Sequence, residues 1–115
     1  LRTYNADGKE TAYLGSSGNG NGILEIINAD GKKTVYLGTG EDGSGVLTTN
    51  NADGKRTAYL GTSEGGGGVL KAYNKHEVMV GYFGTGNNGK NIIEDGMAIL
   101  FDRYGDIGWG ADGKK

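Results

Sequence analysis

The residue types that enzymes use for acid–base or nucleophilic chemistry are sparse in this sequence. His76 is the single histidine and cysteine is absent. The serines lie in glycine-rich segments with no histidine repeated beside them. Glu94 and Asp95 resemble a carboxylate pair for glycoside cleavage, but neighbouring residues of a strand point to opposite faces of a sheet. The sequence therefore predicts no catalytic residue and no enzyme activity.

Two glycine-rich stretches resemble a phosphate-binding loop. Residues 38–43 and 84–89 both read GxGxxG, and each follows a predicted strand. A dinucleotide-binding loop opens a helix whose N-terminus faces the pyrophosphate. Here the sequence continues with Gly-Val-Leu-Thr-Thr, which is typical of another strand. We therefore predict loops at the edge of a sheet, where close backbone approach excludes side chains, and no cofactor.

The stretch NADG at 28–31 is similar to the start of a calcium-binding loop, in which oxygen ligands stand two residues apart. An EF-hand loop also needs a bidentate glutamate at its twelfth position. The residues at that position are Thr39 and, for the copy that begins at Asn5, Ser16. The stretch is therefore predicted to be a plain hairpin turn, without a metal.

Composition excludes several other classes. The 12 Lys and Arg residues nearly balance the 14 Asp and Glu residues, so no basic surface for nucleic acid is predicted. No apolar run approaches the ~20 residues that a membrane span needs, and no membrane insertion is predicted. The absence of cysteine excludes a disulfide framework. The sequence opens at Leu1 without a basic and apolar leader, which favours a fragment or a processed subunit.

An internal repeat with a period of 23 residues organises the chain. The sequence NADGK stands at 5–9, 28–32 and 51–55, and a Tyr-Leu-Gly motif follows each copy. We interpret residues 1–73 as three regular repeats, and residues 74–115 as a degenerate fourth repeat with a terminal cap. In the fourth repeat Lys-His-Glu replaces Ala-Asp-Gly, so this repeat is predicted to lack the turn.

Each NADGK stretch has the chemistry of a tight hairpin turn. Asn and Asp side chains hydrogen-bond to nearby backbone, and Gly adopts positive φ without a Cβ clash. The pattern predicts a type I turn followed by a glycine bulge. The turn residues are Asn5, Asp7, Gly8, Asn28, Asp30, Gly31, Asn51, Asp53 and Gly54.

The segments between the turns are predicted strands, because they carry β-branched and aromatic residues in alternation. Alternation places the repeated Ala and Leu residues on one face and the repeated Thr and Tyr residues on the other. We interpret the tyrosines as a ladder that fixes strand register or, alternatively, as an aromatic surface for sugar rings. They are Tyr13, Tyr36, Tyr59 and Tyr82.

Two or three mid-sized apolar residues per strand make a thin core for one chain. The sequence therefore predicts an all-β fold, in which 23-residue β-hairpin repeats form an elongated, homotrimeric β-prism or β-helix fibre module. The alternative is a single-chain solenoid whose neighbouring coils bury each other. The tight reversing turn favours antiparallel hairpins over parallel coiling.

The NADGKxTAYLG units and the closing stretch FDRYGDIGW at 101–109 carry a family resemblance. The chain resembles glycine-rich β-repeat trimeric fibre proteins, such as phage tail-fibre-like and bacterial surface-fibre repeats. The resemblance implies an extracellular, homotrimeric and non-enzymatic shaft.

The predicted function is that of a structural fibre subunit, a trimeric shaft whose partner is another copy of itself. Unpaired strand edges also predict end-to-end polymerisation into a filament, in which one terminus completes the neighbour's last unit. The alternative is an adhesion module that binds a cell-surface glycan through the tyrosines and glycine loops.

Overall fold

The computed structural model describes residues 1–87 and 92–113, which contain ten β-strands and no helix. The all-β prediction is therefore confirmed. In chain order the strands are β1 (Arg2–Tyr4), β2 (Glu10–Ser16), β3 (Gly22–Ile27), β4 (Lys33–Thr39), β5 (Gly45–Asn50), β6 (Arg56–Thr62), β7 (Gly68–Tyr73), β8 (Met79–Asn87), β9 (Ile92–Phe101) and β10 (Ile107–Asp112).

The ten strands form one open sheet in which each strand pairs with its neighbours in sequence. All of these pairs are antiparallel, unlike the parallel coils of a solenoid. The molecule measures 56 × 31 × 18 Å. Its radius of gyration is 16.6 Å, against roughly 13 Å for a compact domain of this length. The chain therefore forms an extended single layer.

The first NADGK stretch forms a type I turn closed by a glycine bulge. The amide of Gly8 donates to the carbonyl of Asn5 at 3.0 Å, and the amide of Asn5 donates to the carbonyl of Lys9 at 2.9 Å. The side-chain Oδ1 of Asn5 accepts from the amides of Asp7 and Lys9, both at 3.0 Å. Gly8 has φ +77°, a backbone conformation that a side chain disfavours.

The second and third NADGK stretches repeat this geometry. The amides of Gly31 and Gly54 donate to the carbonyls of Asn28 and Asn51, both at 2.9 Å. The two Asn side chains accept from the amides of the residues two and four positions later. Asp30 and Asp53 contribute their backbone amides to this network.

The opposite edge of the sheet carries hairpin turns with the same backbone hydrogen bonds, at 17–21, 40–44 and 63–67. The first GxGxxG stretch belongs to this set, since the amide of Gly43 donates to the carbonyl of Gly40 at 3.0 Å and Gly43 has φ +88°. The stretch therefore joins two strands, as its sequence suggested. In the second GxGxxG stretch residues 84–87 belong to strand β8 and do not form the predicted loop, and its end, at 88–89, lies outside the described residues.

The prediction that the fourth repeat lacks the turn is wrong. The amide of Glu77 donates to the carbonyl of Asn74 at 2.9 Å, and the amide of Asn74 donates to the carbonyl of Val78 at 3.0 Å. The side chain of Asn74 still accepts from the amide of His76 at 2.9 Å. Asn74 alone thus keeps the local network, and Glu77 takes the glycine position with φ +62°.

A Gly31→Val substitution is expected to destabilise the protein by more than the ~1 kcal/mol of an ordinary glycine exchange. Gly31 has φ +82°, and a β-branched residue tolerates this region poorly. Gly31→Asn is the matched control, because Asn adopts positive φ more easily. Thermal unfolding would measure both variants. Equal unfolding midpoints for wild type and Gly31→Val would contradict the prediction.

A fifth turn at 102–106 uses Asp where the other copies use Asn. Asp102 Oδ1 accepts from the amides of Asp106 at 3.0 Å and Tyr104 at 2.9 Å. The hydrogen bond from the Asp106 amide, followed by that from Tyr104, holds the pKa of the Asp102 carboxyl below its ordinary value.

This lowered pKa predicts an acid-dependent loss of stability. The ionised carboxylate stabilises the fold fully above its unfolded-state pKa, and the contribution disappears as the pH falls through the lower, folded-state pKa. Asp102→Asn restores the residue of the other turns and removes the titration. We expect the unfolding midpoint of the wild type to fall more steeply than that of Asp102→Asn below about pH 4. If the unfolding midpoints of both proteins fell equally steeply with pH in acid, the stabilising role of the Asp102 carboxylate would be refuted.

Candidate interface on the leucine face

Strand register sorts the repeated residues into two faces. Leu14 pairs with Leu24, Leu24 pairs with Leu37, and the series continues across the sheet. We call this series the leucine row: it comprises Leu14, Leu24, Leu37, Leu47, Leu60, Leu70 and Phe83. The face that carries the row is the leucine face, and the opposite face, with the four repeated tyrosines, is the tyrosine face.

The tyrosine face packs against its own glycines. The hydroxyl of Tyr13 donates to the carbonyl of Ser16 at 2.9 Å, so the ring lies along its own strand. A Cβ added to Gly15 would stand 2.5 Å from that hydroxyl. Tyr36 and Tyr82 make the same type of bond, to the carbonyls of Thr39 and Thr85. Burial also raises the pKa of Tyr82.

This arrangement explains the Tyr-x-Gly motif of each repeat. Ile23 pairs with Gly15 on one side and Gly38 on the other, and it is only 8% exposed. Val69 lies in the same way between Gly61 and Gly84 and is 3% exposed. Glycine next to an aliphatic side chain leaves room for the tyrosine ring to cover the site, a known compensation for glycine in sheets.

The four tyrosines do not touch one another through a continuous ladder of rings. Glu25 stands in register between Tyr13 and Tyr36. Thr48 and Lys71 hold the equivalent places further along the sheet. Cations cover several of the rings instead: the guanidinium of Arg2 lies 4.4 Å from the ring centre of Tyr13.

The repeated threonines lie on the leucine face, which corrects their predicted place beside the tyrosines. The hydroxyl of Thr57 lies 2.7 Å from that of Thr49, and Thr49 pairs with Ala58. Thr3 and Thr11 make the equivalent contact at 2.7 Å. A register shift at this end of the strand pairs, for example between Thr49 and Asn50, inserts one extra residue and so reverses the alternation.

Five of the seven side chains of the leucine row are exposed, whereas Leu24 and Leu47 are half-buried. Leu14 is 53% exposed, Leu37 48%, Leu60 51% and Phe83 66%. The described residues include only two buried hydrophobic side chains, Ile23 and Val69, and both belong to the tyrosine face. The sequence identified the leucines as repeated apolar positions, and the structure shows that its single layer leaves them in contact with solvent.

The solvent-accessible surface area of the chain is larger than that of a compact monomer, as an uncovered leucine face requires. The chain exposes 7631 Å², whereas a compact monomer of 11.9 kDa would expose roughly 5,900 Å². The excess, roughly 1,700 Å², is as large as a stable protein–protein interface buries in total. Exposed apolar patches beyond a few hundred Å² mark interaction surfaces. The leucine face is therefore the candidate functional surface.

Within the described ranges, no group of three or more His, Asp or Glu side chains could hold a metal ion. His76 lies in the fourth turn, and Glu94 and Asp95 are neighbours in β9. Nor does any helix in those ranges have the length and apolar character to cross a membrane.

Fold and surface together define a single-layer antiparallel β-meander with one apolar face. Comparison with known protein families finds no family model that matches the chain, and comparison with curated proteins finds no match.

Proposed function

We propose that this protein is a non-enzymatic structural subunit of an extracellular fibre, in which three chains cover one another's leucine faces. The observation that carries the proposal is the leucine row, in which five of the seven side chains stay about half exposed. Burying such a surface against identical copies is the simplest way to remove it from water.

The shape of the apolar surface favours three copies. The leucine row crosses the strands at right angles, so it runs along the 56 Å axis of the sheet. Successive strands lie about 4.8 Å apart, and the seven residues of the row therefore form a narrow stripe about 29 Å long. Three such stripes can converge on one axis, with the strands transverse to it and the tyrosine faces outward.

The repeat supports a shaft. A 23-residue unit adds one hairpin to the sheet, so each added unit lengthens the long axis by two strand spacings, about 10 Å. Length therefore follows from the number of repeats without a change in cross-section, as a shaft requires.

Sedimentation equilibrium tests the assembly directly. We expect the mass of the protein in solution to be three times the 11.9 kDa of one chain. A mass of one chain at micromolar concentration would refute self-association, and a mass of two chains would refute the threefold arrangement. Electron microscopy of the concentrated protein would test whether trimers join into filaments.

A further inference from the structure

We propose that a cavity on the tyrosine face, between the third and fourth NADGK-type turns, binds a neutral oligosaccharide. The cavity has a volume of about 300 Å³ and is lined by Asn50, Gly54, Arg56, Tyr73 and Glu77. This volume lies at the lower end of the range for ligand pockets. The inference does not depend on the proposed assembly, because the strand residues Asn50, Arg56 and Tyr73 lie on the face opposite the leucine row.

Glu77 is the first reason to assign a ligand here. Among the described residues it is the one non-glycine residue with positive φ, at +62°. The other NADGK-type turns have glycine at this position, namely Gly8, Gly31, Gly54 and Gly105. A side chain held in this region is strained, and such residues concentrate at functional sites. Relief of the strain would need only the glycine that the other turns already contain.

The side chain of Glu77 reaches into the cavity. Its Oε1 accepts from the backbone amide of Arg56 at 2.9 Å, 21 residues away along the chain. This bond fixes the carboxylate between two hairpins. The other oxygen is an acceptor for a ligand hydroxyl, since an ionised carboxylate accepts several hydrogen bonds.

Arg56 is the second reason to assign a ligand here, because it lacks the ion pair that the residue at the same position of the preceding repeat makes. Lys33 stands 23 residues earlier and forms an ion pair with Glu25 at 2.8 Å. The position equivalent to Glu25 is Thr48, and among the described residues no carboxylate lies within 4.0 Å of the Arg56 guanidinium. The guanidinium, whose centre is 5.9 Å from the Tyr59 ring centre, is therefore available as a donor.

The remaining lining suits a sugar ring. Tyr73 supplies an aromatic side chain, which offers both an apolar ring face and a hydroxyl. Asn50 is held in place by a hydrogen bond from its Nδ2 to the carbonyl of Lys33 at 2.9 Å, which leaves its Oδ1 as an acceptor. Donors and acceptors are thus both present around one aromatic ring, as the hydroxyls of a sugar require. Opposite charges on Arg56 and Glu77 favour a neutral ligand over an acidic one.

An array of neutral and acidic oligosaccharides, followed by calorimetric titration of the strongest neutral ligand, tests the proposal. We expect selective binding of neutral glycans. Arg56→Gln and Tyr73→Ala are each expected to weaken the affinity at least tenfold. Lys33→Gln is the matched control, because it removes the equivalent cation from a site already paired with Glu25, and its affinity should equal that of the wild type.

Glu77→Gly separates ligand binding from folding. This substitution installs the residue of the other turns, so the unfolding midpoint should stay the same or rise, while the affinity falls at least tenfold. Wild-type affinity in Glu77→Gly, a preference for acidic glycans, or no binding to any neutral glycan on the array would each overturn the proposal. A leucine-face variant that is monomeric but still binds the glycan would show that glycan binding does not require the trimeric assembly.

Discussion

Leu37→Glu is expected to convert the assembled protein into monomers at micromolar concentration. Leu37 is the third of the seven residues of the leucine row and is 48% exposed in the single chain. Covering the remaining half of a leucine side chain contributes about 1 kcal/mol, and a buried unpaired carboxylate adds a larger penalty. Since three copies carry the change, the association constant should fall at least a hundredfold. Sedimentation velocity would measure the loss.

The matched control for this variant is Thr48→Glu. It adds the same charge on the tyrosine face, where the preceding repeat already has Glu25 beside Lys33. We expect Thr48→Glu to keep the mass of the wild type and to form an ion pair with Arg56. Circular dichroism of Leu37→Glu should retain the β-sheet signal of the isolated chain. An unchanged mass for Leu37→Glu would show that the leucine face is not the interface.

Gly38→Ala is expected to lower stability by about 1–3 kcal/mol, or roughly 5 to 15 °C in the unfolding midpoint. A Cβ at this position would lie 2.8 Å from the carbonyl oxygen of Gly22 and 3.0 Å from Cα of Ile23. Both atoms belong to the backbone of β3, which cannot move away without opening its pairing with β4. The clash would also displace Ile23, one of the two buried hydrophobic residues described.

Gly45→Ala is the control for this effect. Gly45 begins β5, and an added Cβ there meets no atom within 4 Å. The φ of Gly45 is outside the left-handed region, so alanine fits its backbone conformation. Because alanine lowers the conformational entropy of the unfolded chain, the substitution should leave the folded protein unchanged in stability or stabilise it by up to about 1 kcal/mol. Urea unfolding of both variants would give the two free energies. A similar loss of stability in both would mean that close packing of Tyr, Gly and Ile does not hold the tyrosine face together.

The turns and strands were predictable from the sequence, because they form through interactions between residues that are close together in the chain. Asn and Gly three residues apart, as in Asn28 and Gly31, form a turn through hydrogen bonds within a few residues of each other. Alternation between turns predicted the strands and placed the leucines on one face. The fourth turn was missed because the prediction gave weight to Gly and Asp, whereas Asn74 alone accepts the bonds that shape the loop.

The candidate sites were less predictable. The leucines were visible as repeated apolar positions, but whether a second layer covers them depends on how the hairpins stack, which no local pattern encodes. The cavity beside Glu77 joins residues up to 27 positions apart, from Asn50 to Glu77, and becomes a site only once strands β5, β6 and β7 are in register. It had two sequence signals: the departure of the fourth repeat from the consensus at Glu77, and the loss of the Glu partner opposite Arg56.

By itself, then, the chain determined where it turns, which segments extend and which residues recur on a common face, because backbone hydrogen bonding and side-chain size act over a few residues. Tertiary structure alone decided that the hairpins add side by side into one open layer, that the bulges carry Thr57 to the leucine face, and that the rings of Tyr13 and Tyr59 fold over glycines of their own strands. Those outcomes depend on strand register, in which each pairing fixes side chains that are far apart in sequence.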